Sequence, residues 1–291
     1  MATATTAQRM EMIPPQRQTL WGWPAVVNFA LGGLGAGWYV VAVLASGFER
    51  SPGVTAVSWA APLLVLAGFA AVAGEAGRPL RGPRVLWRLR TSWMSRELLV
   101  GIAFVLLVAA DLAFPLRLHR AGASVAAVLL ALAQGFIVRR ARGVTAWDVP
   151  VMPPLFLLSA LVSGAGAYLL VEVAAGRPPI PATVGAVLAL VVVAFVAWAR
   201  YLAWTSEDAY RRAVAPLREG RPGVLINAAY GLPLLLGLLA LAAPAVAGPT
   251  LGLAGALLVA GQVYAKARLI LAAGHLRPIT LGITFARRRS S

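Results

Sequence analysis

The sequence has no cysteine, two histidines, one lysine and ten acidic residues among 291. Without cysteine, the chain can form no disulfide, no zinc–thiolate site and no iron–sulfur cluster of its own. A transmembrane b-type haem held by two histidines needs both at one depth on facing helices. His119 and His275 fall in loops on opposite sides of the membrane in the topology read below, so this chain is expected to hold no haem. Charge is also scarce. Only 12% of residues are charged, against about 25% in soluble domains, while 60% are hydrophobic. Mean hydropathy is +0.79. These figures exclude a soluble enzyme and a disordered chain, and point to a multi-span membrane protein.

Eight apolar runs are each close to the roughly 20 residues that cross a ~30 Å hydrocarbon core. They lie near 25–47, 54–74, 97–116, 122–138, 151–172, 182–204, 224–246 and 250–269, the fourth being the shortest. No signal-peptide pattern precedes the first, so it is expected to be retained. The formal charge of +16 sorts by side. The N-terminal tail, the even-numbered loops and the C-terminal tail, with the helix ends beside them, hold 22 of the 26 Lys and Arg. The positive-inside rule therefore places both termini in the cytoplasm. In a membrane protein this excess speaks for sidedness and lipid headgroups, not nucleic acid.

A shift of 129 residues lays helices 1–4 on helices 5–8, with Gly35, Ala36, Gly37 and Tyr39 on Gly164, Ala165, Gly166 and Tyr168. Chance recurrence in an Ala/Gly-rich chain is the alternative. The expected architecture is an all-α integral membrane protein, with eight transmembrane helices in two parallel four-helix bundles. The expected divisions are a cytoplasmic tail at 1–24, bundles at 25–138 and 151–269, a linker at 139–150 and a basic tail at 270–291.

Four features carry candidate chemistry. Gly32, Gly33, Gly35, Ala36 and Gly37 make one face of helix 1 small, either for close helix packing or as a flat wall for a planar ring. Asn28, one turn deeper than the interfacial Trp21 and Trp23, is an amide in hydrocarbon and needs a partner on a helix or a ligand. The 2–3 loop holds Glu75, Arg78, Arg81, Arg84, Arg88, Ser92 and Arg96. It reads as an interfacial helix on anionic lipid, or as a docking surface with Glu75, Arg78 and Arg96 at a pocket rim. The loop from Arg139 and Arg140 to Asp148 shares that face. Of the ionisable residues, Asp111 sits deepest, suited to proton handling or to pairing with Arg117 or Arg120. Lys266 and Arg268 are expected to snorkel to the cytoplasmic interface.

The stretch Asn28–Gly37 resembles the opening helix of the polysulfide reductase membrane-subunit family. Gly77, Arg78 and Pro79, followed by the run Leu89–Glu97, resemble the matching loop of dimethyl sulfoxide reductase anchor subunits. The resemblance implies an anchor that passes electrons between the menaquinone or ubiquinone pool and a ferredoxin-like iron–sulfur subunit. That subunit in turn serves a molybdopterin-type catalytic subunit carrying a molybdenum or tungsten bis-pterin, as in anaerobic respiration. By position Asn28 corresponds to a polar residue of the family's quinone pocket. The family's histidine on helix 1 and tyrosine on helix 4 are missing here, with Leu31 and apolar residues in their place. The expected quinone-binding set is therefore Trp23, Asn28, Gly32, Gly33, Glu75, Arg78, Ser92, Arg96 and Asp148. Arg81, Arg84, Arg88, Arg139 and Arg140 are expected to dock the partner. The expected location is the cytoplasmic membrane of a bacterium or archaeon. A secondary transporter built on a parallel repeat is the rival, disfavoured by a midplane of Ala, Leu, Val and Gly.

Overall fold

A computed structural model describes residues 8–19, 21–75 and 88–283. Eight helices of 21 to 25 residues dominate it: α1 Trp23–Ala45, α2 Pro52–Glu75, α3 Trp93–Ala113, α4 Arg117–Arg140, α5 Met152–Ala174, α6 Pro181–Leu202, α8 Gly220–Ala242 and α9 Ala247–Leu271. Between α6 and α8 lies the shorter α7, Asp208–Arg218. Seven of these, all of the long ones except α3, are long and apolar enough to cross a membrane.

Several sequence expectations are corrected. The fourth run, read as 122–138, is a full-length helix whose first turn carries Arg117, His119 and Arg120. The third begins at Trp93, four residues earlier than hydropathy alone suggests, because Ser92 caps it through a bond from Ser95 N. α7 falls in a stretch read as loop; Tyr210, Ala213, Val214 and Leu217 recur at helical spacing and are buried. Among the described residues the chain is all-α as expected, apart from one two-stranded pair. Strands β1 (Gln8–Ile13) and β2 (Ile279–Ile283) pair antiparallel and bring the two tails together.

Helix packing follows a regular scheme. α1 lies on α2, α3 on α4, α5 on α6 and α8 on α9, while α4 meets α5 and α1 meets α9. α1 and α5 cross where glycine removes the side chains. A Cβ on Gly37 would overlap the carbonyl of Ala160, and one on Gly164 would overlap the backbone of Gly37 and Trp38. Both helices end in the same way. Gly47 and Gly176, 129 residues apart, adopt left-handed φ of 64° and 68°. Phe48 N donates to Val43 O as Arg177 N donates to Glu172 O.

One end of the helix array is capped. The bridges Arg17–His275 and Val144–Leu276 tie both tails to the α4–α5 loop. Trp147, buried there, stacks on Trp21 at 5.0 Å and donates Nε1–H to Leu269 O at 3.1 Å. Tyr201 donates its hydroxyl to Ala146 O at 3.0 Å, and Tyr210 donates to Tyr201 O. The starts of α1, α3, α5 and α8 and the ends of α2, α4, α6 and α9 all meet this capped end.

Candidate functional site

Beneath the cap, a buried polar cluster joins α1, α3 and α4. Asn28 Nδ2 donates to Glu97 Oε1 at 3.0 Å, and Gln134 Nε2 donates to the same oxygen at 3.2 Å. Gln134 also reaches Asn28 O at 3.4 Å. The three side chains are 4%, 6% and 1% exposed. From their positions along the helices, they lie about 6–9 Å in from the capped helix ends. Asn28 Oδ1 is buried with no hydrogen-bond donor. It rests against α2 at Gly68, where a Cβ would stand 3.1 Å away.

Each member sits there for a local reason. The early start of α3 turns Glu97 inward while Arg96 faces out. Arg96 donates to Leu89 O and Arg90 O, both at 2.9 Å, and lies 4.4 Å over the Trp93 ring. Trp93 stacks in turn on Phe136 of α4 at 4.1 Å. Arg96 and Ser92 therefore build the turn that aims Glu97. The helix-1 glycine face divides in two. Gly35 packs on α2 at Ala61 O and Gly37 on α5, whereas Gly32 and Gly33 make room for polar side chains. The Gln134 amide fills the space at Gly32. A side chain on Gly33 would stand 2.9 Å from Lys266 Nζ and 3.6 Å from Gln134 Oε1.

Glu97 holds a carboxyl where charge is expensive, at a cost of a few kcal/mol, and two amide donors to one oxygen offset part of it. Among the described residues it has no cation within ion-pair distance. Such a group can hold or release a proton next to an open acceptor, Asn28 Oδ1.

The other expected residues are placed differently. Trp23 is exposed at the start of α1. Asp148 pairs with Arg277 at 3.2 Å on the cap. Arg88 and Arg140 are exposed and Arg139 half-buried on the same end. Glu75 closes α2; its side chain, with Arg78, Arg81 and Arg84, lies outside the described residues. Asp111 is buried on α3 near the opposite end, bonded to Arg120 Nη1 at 3.1 Å and to Leu116 N at 3.1 Å. Arg120 also donates to Phe48 O at 2.9 Å, which makes the group a clasp between α1, α3 and α4. Arg117 pairs instead with Glu49.

Asp111 is not alone in being ionisable and buried: Glu97, Arg120, Glu172 and Lys266 are too. Lys266 does not snorkel to the interface. The sequence does not reveal Glu97, the first residue of the third apolar run, nor Gln134 and Lys266, as members of a site. Gln134 was visible as the lone amide in the apolar run of α4, and Lys266 as the only lysine beside 25 arginines.

A many-helix array with a carboxylate–amide cluster under one capped end defines a polytopic membrane protein with a polar site near one surface. Residues 12–215, over two-thirds of the chain, match the family model described as polysulphide reductase, NrfD. The chain belongs to that family, which implies a quinone-interacting membrane subunit of an oxidoreductase complex. No curated protein matches it.

Proposed function

We propose that this chain is the quinone-reactive membrane anchor of a multisubunit oxidoreductase, and that its quinone site is the Asn28–Glu97–Gln134 cluster. The observation that carries the reading is Asn28. It is buried beside a carboxyl, with its carbonyl oxygen lacking a donor. The donor set fits the group: amide N–H groups suit a quinone carbonyl, and Asn28 Oδ1 and Glu97 suit a quinol hydroxyl. Quinone, when bound, takes up or releases two electrons and two protons. Asn28 and Gln134 orient its oxygens, Glu97 holds a proton at Oε2, the oxygen that does not accept the two amides, and the apolar residues around them keep bulk water out.

The reading extends to the whole molecule. All eight long helices, α3 included, cross the membrane, and the recurrent capping of α1 and α5 reflects duplication of a four-helix unit over 25–138 and 151–269. The arginine-rich capped end faces the cytoplasm, so the partners sit on that side of a bacterial or archaeal cytoplasmic membrane. There Arg88, Arg139, Arg140 and Asp148 stand at the docking face of a ferredoxin-like iron–sulfur subunit. That subunit passes electrons to a molybdopterin-type catalytic subunit holding molybdenum or tungsten. The site lies one to two helical turns below this surface, as electron exchange with a cluster on the partner requires.

A tagged chain purified from its host in mild detergent tests the reading. Two co-purifying subunits with iron and molybdenum or tungsten are expected. A metal-free chain purifying alone in several gentle detergents would contradict it. Protease reaching those partners from outside spheroplasts would contradict the sidedness.

A further inference from the structure

A second polar site lies in the other half of the molecule. A cavity of about 30 Å³ sits between α5, α6, α8 and α9, walled by Leu155, Phe156 and Leu269 and reached by Ser159, Trp198, Tyr230, Gln262 and Lys266. That volume exceeds the roughly 10–15 Å³ that one water needs. Trp198 Nε1, Gln262 Nε2 and Ser159 Oγ are buried without a partner. The residues bearing the first two are 5% and 2% exposed. Unpaired buried donors cost about 1–3 kcal/mol each, and two or more in one small chamber are what internal water satisfies.

Lys266 connects this chamber to the site described above. It lines the cavity, is 4% exposed, and has its Nζ beside Gly33, 2.9 Å from where a Cβ would stand, with Gln134 Oε1 3.6 Å from that same point. Among the described residues no carboxylate lies within ion-pair distance of it. The choice of residue is informative. Apart from two histidines, every other basic position of the chain is arginine. Arginine stays charged under any accessible condition, whereas a buried ammonium can give up its proton. The chain uses lysine where, among the described residues, a cation lines a chamber of unsatisfied donors and reaches the Gly33 side of the carboxylate–amide cluster. The other titratable group lining the cavity with it is Tyr230 on α8; α5 and α6 present Ser159 and Trp198 there, and Gly33 of α1 and Gln134 of α4 lie on the side of the cluster.

We propose that Lys266 is a proton-exchanging group of the Asn28–Glu97–Gln134 site, supplied by water held in the cavity of the second half. This rests on the quinone reading of that site. On reduction of a quinone held at the cluster, Nζ gives a proton to the quinone oxygen that takes up charge, leaving a neutral amine, and regains a proton that the cavity water relays from solvent; oxidation of the quinol runs the same transfers in reverse. No electrons pass through it, and its charge returns to the starting value. The lysine is thus a positioning and proton-carrying residue that links the two halves through α9.

Because lysine occurs once, the full chain labelled with ¹³C,¹⁵N-lysine in phosphatidylcholine/phosphatidylglycerol nanodiscs gives one side-chain signal by nuclear magnetic resonance. That signal is expected to show a water exchange peak, to lose it in Trp198→Phe/Gln262→Leu, and to shift when decylubiquinone or a short-chain menaquinone is added. Binding is followed separately by quenching of tryptophan fluorescence. If quinone quenches but the lysine signal neither contacts water nor shifts, Lys266 has no such role and the quinone reading stands. If neither quinone binds, that reading falls and the inference with it. In membranes containing the assembled complex, Lys266→Arg should lose about tenfold or more of quinone-linked turnover, roughly 1.4 kcal/mol, with quinone affinity retained. Full turnover would overturn the proposal. The labelled native chain carries the test even if a Lys266 variant does not fold.

Discussion

Asn28 on α1 donates its side-chain amide to Glu97 on α3 at 3.0 Å, across 69 residues of sequence. The bond fixes the depth of both helices relative to the capped end and leaves Asn28 Oδ1 as an acceptor with no donor. Replacing Asn28 by leucine removes a donor from a buried carboxyl, at about 1–3 kcal/mol. Asn28→Leu should therefore lower quinone-linked turnover about tenfold or more while the complex still assembles. Turnover and subunit content measured on the same membranes check both halves of this expectation.

Glu97→Gln keeps the size and most hydrogen bonds of the side chain but removes its ability to hold a proton. Its expected effect falls on turnover more than on quinone affinity. An equal loss in both would mark Glu97 as a binding group alone.

The Asp111–Arg120 pair is read as structural. Arg120→Leu leaves Asp111 buried and unpaired, which costs about 3–5 kcal/mol. Asp111→Leu/Arg120→Leu should recover most of the lost thermal stability in detergent and retain turnover. If the double variant is stable but inactive, Asp111 handles protons.

Close approach of α1 and α5 requires glycine. A Cβ at Gly164 would meet the backbone of Gly37 and Trp38, and neither can yield without moving a helix. Gly164→Val should abolish stable expression, whereas Gly185→Ala, on α6 with open space around it, should be tolerated. Detergent-resistant yield by size-exclusion chromatography separates the two.

The cap depends on two tyrosines in series, Tyr210 to Tyr201 O and Tyr201 to Ala146 O. Tyr201→Phe leaves the Ala146 carbonyl without its side-chain donor, at about 1 kcal/mol. Faster protease cleavage in the α4–α5 loop, around 141–151, is the expected outcome.

The sequence shows most of the long helices, because a run of about 20 apolar residues is a strong signal. What it obscures has physical reasons. Hydropathy starts α3 at Glu97, at the edge of the polar 2–3 segment, and that conceals a carboxyl which in fact points inward. α7 is too short and polar for a hydropathy window, and its four buried positions emerge only at helical spacing. The β1–β2 pair joins residues about 270 apart, which local pattern cannot reveal. Asn28 was legible as an amide in need of a partner; that the partner is Glu97 was not. The sequence suggests that Lys266 snorkels, because a lysine near a helix end ordinarily does so. Here α9 is surrounded by α1, α5 and α8, which hold the side chain inside.

The most direct test of the central claim is photolabelling of the assembled complex with an azido-quinone, followed by mapping of the labelled peptides. Label on α1, α3 or α4 around Asn28, Glu97 and Gln134, lost in Asn28→Leu, is the expected result. Label confined to other helices, or unchanged by Asn28→Leu, would contradict a quinone site at this cluster.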